Sequence, residues 1–372
     1  MSGHRPVWSE VDLDAIRANV STVRTTAAPA AVLAVVKADG YGHGAVPAAG
    51  AALDAGAQWL GVALVEEGLE LRDAGIDAPI LVLAEPPPGA GDAVVEFRLT
   101  PVVYTSEGVE TLAKAVATAA APPLGVHLKI DTGMNRVGCS PEAAATLALT
   151  IRARDELELD GLLTHLAVAD EPDDHGYTAE QLARFESALV AIGEPRPRVV
   201  HAANSAAAIR VPQARYDLVR AGIACYGIDP APTLAGAIPL RPALALKAAV
   251  SHVHDVPSGT GVSYGLHYTT DRATRLATVP IGYADGVPRN LGLRGGEVLV
   301  RDARRPVAGA VTMDQLVVDC ADDPVEVGDE VVLIGRQGAH EITATEWAQH
   351  MGTIGYEIVC GIGPRVPRRY LG

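Results

Sequence analysis

The apolar positions of the chain follow two regimes that change over near residue 230. In the first, short runs that are apolar throughout recur: AVLAVVK (31–37), WLGVAL (59–64), PILVLA (79–84), LTPVVYT (99–105), LGVHLKI (124–130), LDGLLTHL (159–166), PRVVHA (197–202) and YDLVRAGI (216–223). Strands without polar alternation suit a parallel sheet covered on both faces. Alanine-rich amphipathic stretches lie between most of them, at 44–56, 65–75, 106–120, 141–155 and 178–192, with a short one near 203–210. Asp12 caps an earlier helix in which Leu13, Ile16, Val20 and Val23 keep helical spacing. Eight strand–helix units in about 220 residues have the size of a (β/α)8 TIM-type barrel. A doubly wound open sheet is the alternative, but the Gly-rich fingerprint expected after its first strand is missing.

Beyond Pro230 the texture changes. APTLAGAIPLRP reads as a linker. Then ALALKAAVSHVHDV, RLATVPIGYA, GEVLVRDARRPVAGAV, QLVVDC and GDEVVLIG are strand-like and separated by turn signals, with one weak helix at ATEWAQHMG. The expected architecture is α/β: a barrel over 1–230, its first ~10 residues packing on the other domain, then a mostly β domain over 231–372.

Charge and composition narrow the function classes. The net charge is −15, from 45 acidic and 30 basic residues, which argues against a nucleic-acid partner. No apolar run reaches the ~18–20 residues that span a bilayer, and the N-terminus has no signal-peptide pattern. Cys139, Cys225, Cys320 and Cys360 form no CxxC and read as buried small hydrophobes in a reducing cytoplasm. His252 and His254 share a strand face but have no third ligand, so no metal is expected. Glu66–Glu67 and Asp173–Asp174 read as solvated charges.

The candidate chemistry gathers at strand ends. Active sites of such barrels lie at the C-terminal ends of the strands. Lys37 ends the first strand, where desolvation frees an amine for covalent chemistry with carbonyls; a lysine snorkelling to solvent is the bland alternative. Gly40, Gly42 and Gly44, just after it, permit close approach of backbone to a ligand. Arg136 follows the fifth strand, His165 ends the sixth, Asn204 and Ser205 follow the seventh, and Arg220, Gly222 and Ile223 close the eighth. The run RAGI offers backbone N–H groups as an anion cradle.

Eight segments, AVVKADGYGHG, KIDTGMNRVG, HAANSAAAI, VRAGIACYG, VSYG, IGYADG, VTMDQ and IGYEIVCGIGPRVPRRY, occur in this order. Together they resemble the alanine racemase family of barrel-type pyridoxal-phosphate enzymes, from WSEVDLDAI to RVPRRY. The resemblance implies a two-base interconversion of L- and D-alanine that supplies D-alanine for peptidoglycan. It makes Lys37 the cofactor-bearing residue and the base on the D side. Tyr264, in VSYG, becomes the base on the L side, supplied by the other subunit of a head-to-tail homodimer. Tyr41, Ser205, Tyr356 and the backbone of Gly222 and Ile223 would hold the cofactor phosphate, with Asn204 among the cofactor-binding residues. Arg136 would meet the phenolic oxygen of pyridoxal 5′-phosphate and the substrate, His165 would stack on its ring, and Arg220 would face its pyridine nitrogen. Tyr283 and the backbone of Met313 would orient the substrate carboxylate. Lys129 falls where many relatives carry a carbamylated lysine.

Three other readings compete. A non-enzymatic pyridoxal-phosphate carrier would lack the second domain with VSYG and VTMDQ. A decarboxylase of the same cofactor class has a longer chain, and broad-specificity racemases tend to be exported. A cofactor-free barrel enzyme would leave Lys37, Arg220 and the phosphate cradle without a common explanation.

Overall fold

The computed structural model describes residues 4–372. Its contacts divide the chain into two compact units. One holds 16–40 and 45–241; the other holds 4–15, Tyr41–Gly44 and Pro242–Gly372.

The first unit is a barrel of eight parallel strands: β2 (Ala31–Val35), β3 (Trp59–Val62), β4 (Ile80–Val82), β5 (Thr100–Val103), β6 (Leu124–Lys129), β7 (Leu157–Leu163), β8 (Val199–His201) and β9 (Leu218–Ala221). They pair in sequence order, and β9 closes back onto β2. The last seam, between β8 and β9, is an irregular one. Asp217 N donates to Val200 O at 3.0 Å and the Asp217 carboxylate accepts from Val200 N at 2.8 Å. Each apolar run expected as a strand is one, shortened by one to four residues at its ends, β7 excepted, which begins two residues earlier. The helices α1 (Leu13–Ala27), α2 (Ala45–Asp54), α3 (Val65–Asp73), α4 (Gly91–Glu96), α5 (Ser106–Ala119), α6 (Pro141–Arg152), α7 (Tyr177–Ile192) and α8 (Ser205–Arg210) separate them. Their starts are written in the sequence. Asp12 Oδ1 accepts from Ala15 N, Thr105 Oγ1 from Gly108 N, Ser140 Oγ from Ala143 N and Asn204 Oδ1 from Ala207 N. Alanines fill the helix faces turned inward: Ala45, Ala48, Ala49, Ala51 and Ala52 of α2 are all buried.

The second unit is built on sheets. β1 (Val7–Asp12) lies between β10 (Leu244–Ala249), with which it is antiparallel, and the C-terminal strand Arg368–Leu371, with which it is parallel. The same sheet continues from β10 through Glu330–Gln337 to Glu297–Val300 and Ala303–Pro306. A smaller sheet orders His252–Val256, Thr274–Val279 and Leu316–Asp319. The expected helix forms over Ala344–Met351. It is followed by Gly355–Cys360, a helix absent from the sequence reading. Its residues, YEIVC, carry the β-branched and aromatic composition of a strand, and packing against the preceding helix overrides that preference.

Two local expectations are corrected. Cys360 is exposed at the end of that unexpected helix, while Cys139, Cys225 and Cys320 are buried. Gly42 and Gly44 do not leave room for a ligand. A Cβ on Gly42 would meet Val359 O at 2.2 Å and one on Gly44 the Tyr370 hydroxyl at 2.1 Å, so these glycines admit other parts of the chain itself. Among the described residues, no helix is long and apolar enough to cross a membrane.

Candidate active site

The C-terminal end of the barrel gathers Lys37, Lys129, Arg136, His165 and Arg220, whose charges act on one another. The chain leaves β2 through Val36, whose N–H is tied to Gly61 O at 2.8 Å, and Lys37 follows. The next four residues turn the wrong way. Ala38, Asp39, Gly40 and Tyr41 all have φ between 52° and 59°, a single left-handed turn in which only one residue is glycine. L-residues pay about 1–2 kcal/mol each for this conformation. Side chains hold it there: Ala38 N donates to Glu67 Oε1 at 2.7 Å, and Asp39 Oδ1 accepts from Ala45 N at 2.9 Å, starting α2. Glu67 is therefore not a solvated charge. Its other oxygen accepts from Ala63 N and Leu64 N, so one carboxylate ties the end of β3 to the loop that carries Lys37.

Arg136 is placed by a similar device. Asp131, just past β6, accepts from Gly133 N and Asn135 N with Oδ1 and from Arg136 N with Oδ2, all within 3.0 Å. The folded loop forms a cleft with Lys129, Met134, Thr164 and His165. Lys129 ends β6 and is 6% exposed; its amine donates to Leu83 O at 3.2 Å. Burial first, then Arg220, Arg136 and Lys37, push its pKa down to about 8.

Arg220, on β9, is buried at the barrel centre. Its two terminal nitrogens donate to the carbonyls of His201, Thr164 and Ala202 and to two imidazoles, His201 Nδ1 and His165 Nδ1, both at 3.1 Å. Burial, then Arg136, lower its pKa to about 10, so it stays a cation at neutral pH. The same burial, with Arg220 next, holds His165 well below the ordinary imidazole value. His165 is therefore neutral. Guanidinium only donates, so His165 Nδ1 accepts and its proton is on Nε2.

Ser205 and Gly222, two of the residues expected to hold a phosphate, meet at the mouth between β8 and β9. Ser205 Oγ lies 2.9 Å from Gly222 N and 3.5 Å from Ala224 N, bringing a hydroxyl and the amides of this turn to one spot. Asn204, expected beside them, spends its side-chain oxygen on capping α8.

The remaining expected residues belong to the other unit. The rings of Tyr41 and Tyr356 lie 6.1 Å apart. Tyr264, Tyr283 and Met313 are 69%, 42% and 52% exposed. They are fixed from behind. Ser263, with φ 62°, is held by its hydroxyl donating to Ala310 O at 2.5 Å, which sets the turn bearing Tyr264. Tyr283 N and Ala284 N donate to Thr312 O and Met313 O, zipping the two loops together. Beneath them Asp285, fully buried, accepts from both Arg5 terminal nitrogens at 2.8 Å, from Gly282 N, and faces Arg365 Nε at 3.1 Å.

Three polar residues inside the barrel were missed by the sequence reading: His127, Asp160 and His201. Each sits in the middle or at the end of an apolar strand. The signal available was a polar residue in each of three adjoining strands.

The chain matches two family models, the alanine racemase N-terminal domain over residues 11–230 and the alanine racemase C-terminal domain over 243–370. It is 50% identical to the alanine racemase of Symbiobacterium thermophilum, over 100% of this chain and 99% of that one. Among solved structures it is similar to alanine racemase from D-cycloserine-producing Streptomyces lavendulae, at 44% identity and TM-score 0.93, covering 100% and 98% of the two chains. It is also similar to the Bacillus anthracis alanine racemase with bound L-Ala-P, at 40% identity and TM-score 0.92, covering 100% and 96%. Both family models and relatives matched over nearly their whole length agree, and the chain belongs to the alanine racemase family.

Proposed function

We propose that this chain interconverts L- and D-alanine, with pyridoxal 5′-phosphate at the C-terminal end of the barrel and Lys37 and Tyr264 of a second copy as its two bases. The observation that carries the reading is the convergence of Lys37, Lys129, Arg136 and Arg220 on one strand-end surface. The opposing charge there, Asp131, is occupied by backbone N–H groups.

The residues fit the cofactor. The cations suit the carbonyl, phenolic oxygen and ring of the cofactor, while Ser205 Oγ, which accepts from Gly222 N, and the backbone of Gly222 and Ile223 would hold its phosphate, with Tyr41 and Tyr356 as further phosphate ligands. Arg220 cannot accept a hydrogen bond, so it suits an unprotonated ring nitrogen. Lys37 would bear the cofactor, with Arg136 at its phenolic oxygen, His165 against its ring and Asn204 nearby. When bound, the cofactor draws electron density from the α-carbon of the substrate and acidifies its C–H bond.

The chain does the rest. Racemisation takes a proton from one face and returns one to the other, so two bases must flank the substrate. Lys37 serves the D side and the Tyr264 phenol the L side. The Nε2–H of His165 would donate to that phenolic oxygen and favour its ionised form. Arg136, Tyr283 and the backbone of Met313 orient the substrate carboxylate. Tyr264 and Tyr356 crowd the side chain, so alanine is favoured over larger amino acids. Because Tyr264, Tyr283 and Met313 stand exposed on their unit, the reading includes a head-to-tail homodimer in which they complete the neighbour's site. Lys129 would carry a carbamate: a lysine amine held at about 8 is in part neutral at physiological pH, as reaction with carbon dioxide requires. The D-alanine formed would serve peptidoglycan synthesis in the cytoplasm.

The test is an absorbance spectrum of the purified protein, followed by L-alanine turnover with chiral detection of D-alanine. A cofactor band lost in Lys37→Ala and racemisation lost in Tyr264→Phe are expected. A protein without a cofactor band after reconstitution would overturn the reading.

A further inference from the structure

The polar contacts of Arg220 continue away from the site, down the barrel interior. Arg220 Nη1 lies 3.1 Å from His201 Nδ1, His201 Nε2 lies 2.9 Å from His127 Nδ1, and His127 Nε2 faces Asp160 Oδ2 at 3.7 Å. Asp160 is gripped in turn by Arg198, whose Nε and Nη2 donate to its two oxygens at 2.7 Å. His127 and His201 are fully buried, and Arg198 is 68% exposed at its side chain. The residues stand on β6, β7, β8 and β9, with Arg198 just ahead of β8, so the row crosses the interior from the strand-end site toward the strand starts.

The protons in this row have one consistent arrangement. Guanidinium donates and cannot accept, so His201 Nδ1 is bare. A neutral His201 then carries its proton on Nε2 and donates to His127. His127 Nδ1 is bare for the same reason, and its own proton is on Nε2, toward Asp160. A protonated imidazolium at either ring would set two N–H groups against each other. Burial agrees: it lowers the pKa of both rings, well below the ordinary value for His201. Arg198 and His127 hold the Asp160 carboxyl down at about 2, so it remains an acceptor. Gly161 allows the row to exist. A Cβ there would lie 2.4 Å from the His127 ring, whose other side packs on Trp59.

We propose that Asp160, locked by Arg198 at the far end of the barrel, is a positioning residue: its charge faces the end of a one-way row of hydrogen bonds from Arg220 through His201 to His127 and so fixes where the Arg220 guanidinium stands at the active site. The row gives Arg220 a remote carboxylate without placing one beside it. A carboxylate in direct contact would offer an acceptor next to the ligand and change what the guanidinium presents. His127 Nε2 makes no hydrogen bond and faces Asp160 Oδ2 at 3.7 Å, so the last link of the row is an electrostatic one. The assignment of Arg220 to a cofactor nitrogen rests on the function proposed above; the proton arrangement does not.

Nitrogen NMR of isotope-labelled histidines in the cofactor-loaded protein tests the arrangement directly. His127, His201 and His165 should each be neutral, with the proton on Nε2, from about pH 6 to 9. A proton on His201 Nδ1, or titration of any of the three rings in that range, overturns the row. Asp160→Ala should leave the tautomers as Arg220 sets them, remove the charge facing His127 Nε2 and so move its nitrogen signal, shift the cofactor absorbance maximum, and lower kcat about tenfold with KM changed less than about twofold. Asp160→Asn keeps an oxygen facing His127, so both shifts should be smaller and the loss in kcat nearer threefold. An unmoved His127 Nε2 signal and an unchanged spectrum in Asp160→Ala would remove Asp160 from any positioning role. If Asp160→Ala does not fold, the wild-type spectrum and Asp160→Asn still decide. A protein that shows the expected tautomers but does not racemise alanine would sink the functional reading and leave the row standing.

Discussion

The barrel end and the exposed face of the β unit are organised in opposite ways. At the barrel end the charged groups are buried and their environment is complete: Arg220, Lys129 and His165 all have pKa values displaced by burial and by one another. On the β unit, Tyr264, Tyr283 and Met313 are exposed and are rigid only because of what lies behind them, namely Ser263 and the Arg5–Asp285–Arg365 cluster. One region is tuned electrostatically within its own fold. The other is preorganised in shape and awaits its surroundings. The difference teaches that the two bases of the proposed reaction should fail differently when removed.

Lys37→Ala should have the largest effect, with racemisation lost in both directions along with the cofactor band, as read by spectroscopy and the chiral assay. Tyr264→Phe should lower racemisation about a thousandfold while leaving the cofactor band intact. In heavy water, D-alanine should still exchange its α-proton in this variant while L-alanine does not. Equal loss of exchange from both enantiomers would break the division between the regions. Arg220→Glu puts an acceptor where only a donor stands, and kcat should fall about a hundredfold with transamination per turnover increased. A side-product ratio equal to that of the wild type would show that the donor-only character is unimportant.

Asp285→Ala takes the buried acceptor from Arg5 and Gly282 N, while Arg365 keeps Asp314, and should cost about 2 kcal/mol of stability, measured by denaturant unfolding. With the loops of Tyr283 and Met313 orienting the substrate carboxylate as proposed, KM should rise more than kcat falls. The smallest effect concerns pH. In protein freed of carbon dioxide, where Lys129 bears no carbamate, burial and its cationic neighbours push its amine down to about 8 from an ordinary 10.5. Between those values the unfolded chain binds a proton that the folded one has released, so stability from this group rises with pH across the interval. In Lys129→Gln that part of the rise should vanish, and an identical pH–stability slope would refute the shift.

What was legible in the sequence follows the same division. The eight barrel strands could be read because burial on both faces leaves continuous apolar runs. Lys37, Arg136, His165 and Arg220 stood out as polar punctuation at their ends. Glu67 was misread because the contact that matters, with Ala38 N, is 29 positions away. Asp285 was missed for a similar reason, since its partners Arg5 and Arg365 lie at opposite ends of the chain. His127, Asp160 and His201 were hidden by the strand pattern itself, which treats a lone polar residue among valines and leucines as noise. Only the side-by-side pairing of β6, β7 and β8 brings three such residues into line.

The placement of β1 has a consequence for how the polypeptide is made. Its neighbours in the sheet are Leu244–Ala249 and Arg368–Leu371, so β1 gains its second partner only after Arg368–Leu371 have been made. Residues 16–241 have all their strand pairings among themselves and can close well before that. A nascent chain stalled near residue 241 would therefore display a protease-resistant barrel with a cleavable segment around β1, and that segment would become resistant only once Leu244–Ala249 and Arg368–Leu371 had emerged.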